Sequence, residues 1–206
     1  MNNPLLKPFN GPFGSVPFNE IKDEHFVPAI EQGIKEAESE IKTIIDNKEF
    51  PTFKNTILAL ELAGSNLDSS VRTYFHLFGS ESEKELKNLS DLISPMVAEF
   101  ENNIFLNKDL FKRIEVVYKN KDQLEDHEDI RLVDSTYEDF IRNGAALDSA
   151  DKAKLRDIDK RLSMLSPQFS KNILNATNEY ELWLEKKDLE GLPNTVIEAA
   201  KIAARN

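Results

Sequence analysis

The chain has 206 residues, of which 26 are Lys or Arg and 37 are Asp or Glu, giving a formal charge of −11. With 40% hydrophobic and 31% charged residues it has the make-up of a globular protein long enough to bury a core, not of a disordered tail. It has no cysteine, which excludes disulfide frameworks, zinc fingers, iron–sulfur clusters and thiol nucleophiles; the acidic balance argues against nucleic acid as a partner. No apolar run approaches the roughly 20 residues of a bilayer span, so no membrane is expected as a partner either.

Residues 1–22 read as an extended arm. Pro4, Pro8, Pro12 and Pro17 fix φ and push their predecessors extended, so the arm is not expected to be helical. Phe9, Phe13 and Phe18 suggest that it lies in an apolar groove. The opening residues lack the apolar stretch and small-residue cleavage site of a secretory signal. A cytoplasmic protein is expected, with a periplasmic or exported one as the alternative if a leader has been removed.

From Asp23 the pattern turns helical. Phe26, Ile30, Ile34, Ala37, Ile41 and Ile44 step by three or four and predict a helix that fades at Asp46-Asn47. A second helix is predicted behind the N-cap Thr52, running through Phe53, Ile57, Leu60, Leu67, Val71 and Tyr74 to a stop at Gly79. Ser82-x-x-Glu85 is a capping box for a third, with Leu86, Leu89, Ile93, Val97, Phe100 and Ile104 on its apolar face and a kink at Pro95. Asn107 caps a fourth carrying Leu110, Ile114 and Val117. A fifth carries Ile130, Val133, Tyr137 and Phe140 and stops at Gly144.

Asp148 caps a long sixth helix with Leu155, Ile158, Leu162, Leu165, Phe169 and Ile173, bent by Pro167. The alternation at Tyr180, Leu182 and Leu184 predicts a short extended segment. Pro193-Asn194 opens an Ala-rich final helix whose stripe of Val196, Ile197, Ala200 and Ala203 reaches almost to Asn206. A stripe cut short in this way points to a longer protein. The fold class is therefore all-α: a bundle of six to seven long, mostly antiparallel helices over 23–206, with at most one short strand.

Candidate chemistry is sparse. Three histidines and seven glycines leave little from which to build an active site. His127-Glu128 begins like the H-E-x-x-H of zinc peptidases, but the second histidine position holds Arg131, which cannot ligate zinc. An acidic helix start favoured by the dipole accounts for Glu125 to Asp129. His25 reads as a packed ring donating to a nearby carbonyl, and His76 as half-buried packing. The carboxylates Asp157 and Asp159, or Glu81, Glu83 and Glu85, read as solvated helix faces. Trp183 reads as core or interface. Asn88-Leu89-Ser90 and Asn175-Ala176-Thr177 match the glycosylation pattern, which carries meaning only in a secreted protein.

Several stretches taken in order resemble something known. Asn3-Pro4-Leu5-Leu6 leads to Phe13-Gly14 and Pro17-Phe18. Then come Ile21-x-x-Glu24-His25-Phe26-x-Pro28-Ala29-Ile30 and, much later, Leu162-Ser163-x-x-Ser166 with Phe169-x-x-Asn172-x-x-Asn175-Ala176-Thr177. Leu189-x-Gly191-Leu192-Pro193 closes the set. In this order and spacing they resemble the N-terminal region of the zinc oligopeptidases related to thimet oligopeptidase, the family of oligopeptidase A and peptidyl-dipeptidase Dcp. The opening is closer to the Dcp branch.

The resemblance implies a longer, mostly helical protein with a deep channel between two lobes. In that family H-E-x-x-H and a downstream glutamate bind zinc, the motif's glutamate activates the zinc-bound water, and short peptides are cut. None of the family's zinc ligands, its catalytic glutamate or its transition-state-stabilising side chains maps onto residues 1–206. The expectation is a lobe with no catalytic, cofactor-binding or metal-binding residue of its own, zinc being bound elsewhere. Its partners would be short peptides and the C-terminal catalytic lobe, and it should expose an apolar surface where that lobe docks. Two alternatives stay open: a free-standing helical module that binds a partner helix in a groove, and a small enzyme with two facing carboxylates in a closed pocket.

Overall fold

Phe26, Ala29, Ile30, Gly33, Ala37, Ile41 and Ile44 recur every three or four residues. In the computed structural model, which describes residues 3–80 and 84–204, they form the buried face of α1, Phe26–Asp46. Eight further α-helical segments follow among the described residues: α2 Ala59–Leu62, α3 Ser65–Ser80, α4 Lys84–Asn88, α5 Ser90–Phe105, α6 Lys108–Lys119, α7 His127–Arg142, α8 Ser149–Asn178 and α9 Asn194–Ala203. Seven of the nine have ten residues or more. No strand occurs among the described residues, and the segment at Tyr180–Glu185 is not paired into a ladder. The fold is all-α, as the periodicity predicts.

The chain divides into two compact units, residues 1–169 and 170–206. In the first, the two halves of α1 serve two hydrophobic clusters. Its N-terminal half contributes Phe26, Ala29, Ile30 and Ala37 to a cluster with Leu5, Leu67, Tyr74, Leu86 and Ile93. Its C-terminal half contributes Ile41 and Ile44 to another with Ile57, Leu110, Phe111, Ile114, Val117, Val133 and Phe140. Each fully buried Ile, Leu or Phe contributes about 2 kcal/mol. An exposed pair such as Lys42–Asp46 or Arg72–Asp68 contributes well under about 1 kcal/mol, so the clusters hold this unit together. Phe105, Phe140, Phe111, Tyr137 and Tyr118 form a ladder of ring contacts through the second cluster, with centroids 3.9 to 6.1 Å apart.

Gly33 lets α1 and α3 approach closely. A Cβ there would stand 2.9 Å from the Leu67 Cα, inside backbone contact distance. The predicted second helix is split where this approach begins. Thr52 caps as predicted, its Oγ1 accepting from the Asn55 N–H at 3.2 Å, but a wide π-turn over Phe53–Leu58 and the short α2 follow. The chain then breaks at Gly64, whose φ of +75° suits glycine. Glu40 of α1 accepts from the Gly64 N–H at 2.8 Å, placing an anion at the start of α3 where the helix dipole favours it. Gly79, predicted as the stop, is an ordinary helical residue within α3.

The predicted third helix is also divided. Ser82 of its capping box lies outside the described residues. Between α4 and α5 the regular ladder lapses at Leu89. Beside the lapse, Leu86 O accepts from both the Leu89 N–H at 3.2 Å and the Tyr74 hydroxyl at 3.1 Å, and Lys87 O accepts from the Ser90 hydroxyl at 2.7 Å. Asn107 caps α6 as read, accepting from the N–H groups of Asp109 and Leu110. After α7, the N–H groups of Gly144 and Ala145 bond to Ile141 O and Phe140 O, the paired pattern of a glycine-terminated helix.

The arm is less extended than predicted. Pro4–Leu6 is a single 3₁₀ turn with proline at its first position, where its missing N–H does no harm. After Pro12 the chain turns through Phe13 and Gly14, both at positive φ, 58° and 69°. Leu5 is buried and Asn3 donates to His25 O at 2.8 Å, so the start of the arm is pinned to α1. Of its three phenylalanines only Phe9 packs on the core; Phe13 and Phe18 are exposed.

The second unit holds the end of α8, a 3₁₀ turn at Lys186–Leu189 and α9. No described side chain in it is buried. Trp183 is exposed, its indole N–H donating to Glu181 at 2.9 Å, which corrects its expected place in a core: this unit is too small to enclose an indole.

Candidate functional site

α8 opens behind Asp148, which accepts from the Asp151 N–H at 2.9 Å. In its first two turns, Lys152 and Arg156 reach the C-terminal end of α5. Lys152 Nζ donates to Leu106 O at 3.0 Å, and Arg156 donates to Asn103 Oδ1 at 2.8 Å and to Asn102 O at 3.3 Å. The last carbonyls of a helix lack intrahelical partners and carry its negative pole, so two cations answer both needs. Loss of water, then the charges of Lys108 and Arg156, hold Lys152 below the ordinary lysine range.

Two clefts flank this strut. One, of about 270 Å³, is lined by Glu101, Asn102, Phe105, Asn143, Asp159 and Leu162 among others. The other, of about 150 Å³, is lined by Pro95, Glu99, Asn102, Arg156, Asp157 and Lys160. Glu101 keeps an exposed surface, yet the protein around it displaces enough water to raise its carboxyl above the usual range, and the charge of Asp159 adds to this. Asp159 is one of the carboxylates considered from the sequence, whereas Glu101 is not.

A carboxylate pair therefore lines one cleft, but that cleft opens to solvent and no histidine lines it. Among the described residues, no group of three or more His, Asp or Glu is placed to hold a metal ion. Glu81 and Glu83 lie outside the described residues.

The three histidines stand on different elements. His25 is buried, and its Nδ1 accepts from the Lys22 N–H at 3.1 Å, which places the ring proton on Nε2. The ring is packed, but the hydrogen bond seen is an acceptor's and not the expected donation to a carbonyl. His76 is exposed on α3, not half-buried, because Tyr74 occupies the inward position and His76 turns out toward Phe18, 6.2 Å away. His127 is the exposed first residue of α7, behind Asp126, which accepts from the Glu128 N–H at 2.9 Å.

Sequence reasoning missed Arg113. Its guanidinium is buried on the inner face of α6, donating to Asn47 O at 2.7 Å, Glu49 O at 3.4 Å, Asn55 Oδ1 at 3.3 Å and Thr56 Oγ1 at 3.4 Å. Its position between Leu110 and Val117 on the apolar face is the signal that could have found it. The arrangement clamps the turn after α1 and the π-turn onto α6.

No protein-family model matches the chain. Among curated proteins it is similar along its whole length to peptidases, the group that its ordered motifs resemble. The dipeptidyl carboxypeptidase of Escherichia coli K12 is 34% identical over 205 residues, 98% of this chain and 30% of that protein. The dipeptidyl carboxypeptidase of Salmonella typhimurium is 33% identical over the same shares. Oligopeptidase A of Haemophilus influenzae is 29% identical over 209 residues, 100% of this chain and 30% of that protein. The chain thus spans about 30% of the length of the curated relatives it matches.

Proposed function

We propose that this chain is the N-terminal, non-catalytic helical part of a zinc metallopeptidase that hydrolyses short peptides, of the peptidyl-dipeptidase or oligopeptidase kind. The observation that carries the reading is similarity along 98% of the chain to proteins of which it spans only 30%. In this reading residues 1–22 are an arm and 23–206 a lobe forming part of the substrate-channel wall. None of its residues is catalytic or binds metal, and zinc sits in the remainder of the polypeptide. The proposed compartment is the cytoplasm; no helix among the described residues is long and apolar enough to cross a membrane.

The encoding reading frame tests this directly. It should continue past Asn206 into H-E-x-x-H, and the protein made from it should hydrolyse short peptides and lose that activity to a chelator. The 206-residue chain by itself should do neither. A stop codon after Asn206, or stoichiometric zinc and turnover in the 206-residue chain, overturns the reading.

A further inference from the structure

On α8, Ile158, Leu162, Leu165 and Phe169 follow one another at steps of four, three and four. This is the spacing of a narrow seam that meets one partner helix, narrower than the stripe of a helix sunk in a core. All four lie in the first compact unit, yet they are 53%, 53%, 45% and 66% exposed. Lys152 and Arg156, which tie α8 to the end of α5, lie on other positions. Leu155, three residues before Ile158 on the same line, is where α8 still packs, its Cδ2 lying 2.6 Å from where a Cβ on Gly144 would stand; the seam begins beyond it. Four large apolar side chains in register on one helix form a patch of the kind that marks an interaction site.

We propose that this seam is the seat of an α-helix from the remainder of the peptidase polypeptide. The proposal rests on the reading given under Proposed function. Two facts favour that occupant. About 70% of the length of the first relative, 100% less the 30% covered, lies outside the part that this chain matches, so on that reading the same polypeptide offers a large partner surface. A second copy of this chain would bring together two bodies of charge −11, which repel. Leu162 belongs both to the seam and to the cleft lined by Glu101 and Asp159, so the docked helix would also roof that cleft.

The test compares Leu165→Asp and Phe169→Asp in two settings, the protein made from the whole reading frame and the 206-residue chain. In the 206-residue chain both side chains face water, and melting temperature and helix content should stay within error of the parent. In the longer protein each substitution buries a charge and should lower the melting temperature by about 4 °C or more. Equal melting temperatures for parent and variants in the longer protein overturn the proposal, while the parent's peptide hydrolysis leaves the functional reading standing. So does sedimentation of the 206-residue chain as a dimer that Phe169→Asp dissociates, since the seam would then serve a second copy. A reading frame that stops at Asn206 removes the functional reading, and the proposal with it.

Discussion

A buried guanidinium with no carboxylate beside it is unusual, and at Arg113 four oxygens replace the missing anion. Its Nε has no partner, so the site is held by the forked end of the side chain alone. Arg113→Met keeps the apolar stem but strands those acceptors, two of them backbone carbonyls. It should destabilise the fold by about 2 kcal/mol or more, read as a lower denaturant midpoint. Arg113→Lys, a point charge without the fork, should recover only part of this.

Glu101 gives a prediction with a sign. The folded state holds its proton more tightly than the unfolded chain does. The ionised form therefore opposes folding at neutral pH, and the opposition fades as pH falls below the ordinary glutamate range, about 4.3. Glu101→Gln should raise the melting temperature at pH 7 and leave it unchanged near pH 3; a gain equal at both pH values would refute the assignment. Arg113 left one trace in the sequence, its place between Leu110 and Val117 on an apolar stripe, whereas Glu101 left none: closeness to a charge on a distant helix depends on where α5 and α8 lie and not on local pattern.

At the level of elements, the legible features were those written within one turn. Thr52, Asn107 and Asp148 cap where their side chains predict, and Gly144 ends α7. The break at Gly64 was not legible, because a distant residue takes part: Glu40 of α1 accepts from its N–H and places an anion at the start of α3. The stop was expected at Gly79, whereas the break falls at Gly64, beside the approach of α1. The same approach makes Gly33→Ala a sharp test. In an exposed helix alanine would stabilise by about 1 kcal/mol. Here the Leu67 backbone at 2.9 Å forces α1 and α3 apart, and a net loss of about 1–3 kcal/mol is expected by chemical denaturation.

For the molecule as a whole, α1 is common property of both hydrophobic clusters, so the first unit should unfold as one. Ile30→Ala in one cluster and Ile114→Ala in the other should each lower stability by about 2–5 kcal/mol. In both cases the loss of helix should remain a single transition. Two separated transitions in either variant would show that the clusters fold independently. Fold class was the easiest property to read, since seven long amphipathic patterns leave no room for a sheet. Function was legible only through ordered motifs scattered from Asn3 to Pro193. The dipeptidyl carboxypeptidase and oligopeptidase A relatives agree with those motifs taken together.

The exposed indole of the second unit has a practical consequence. Trp183 is the only tryptophan in the chain and stands 71% exposed, far from either hydrophobic cluster in sequence. Its emission should be that of a solvated ring, open to a collisional quencher, and nearly blind to melting of the clusters, which circular dichroism follows instead. Any event that covers residues 170–206 should then announce itself as a blue shift and a loss of quenching.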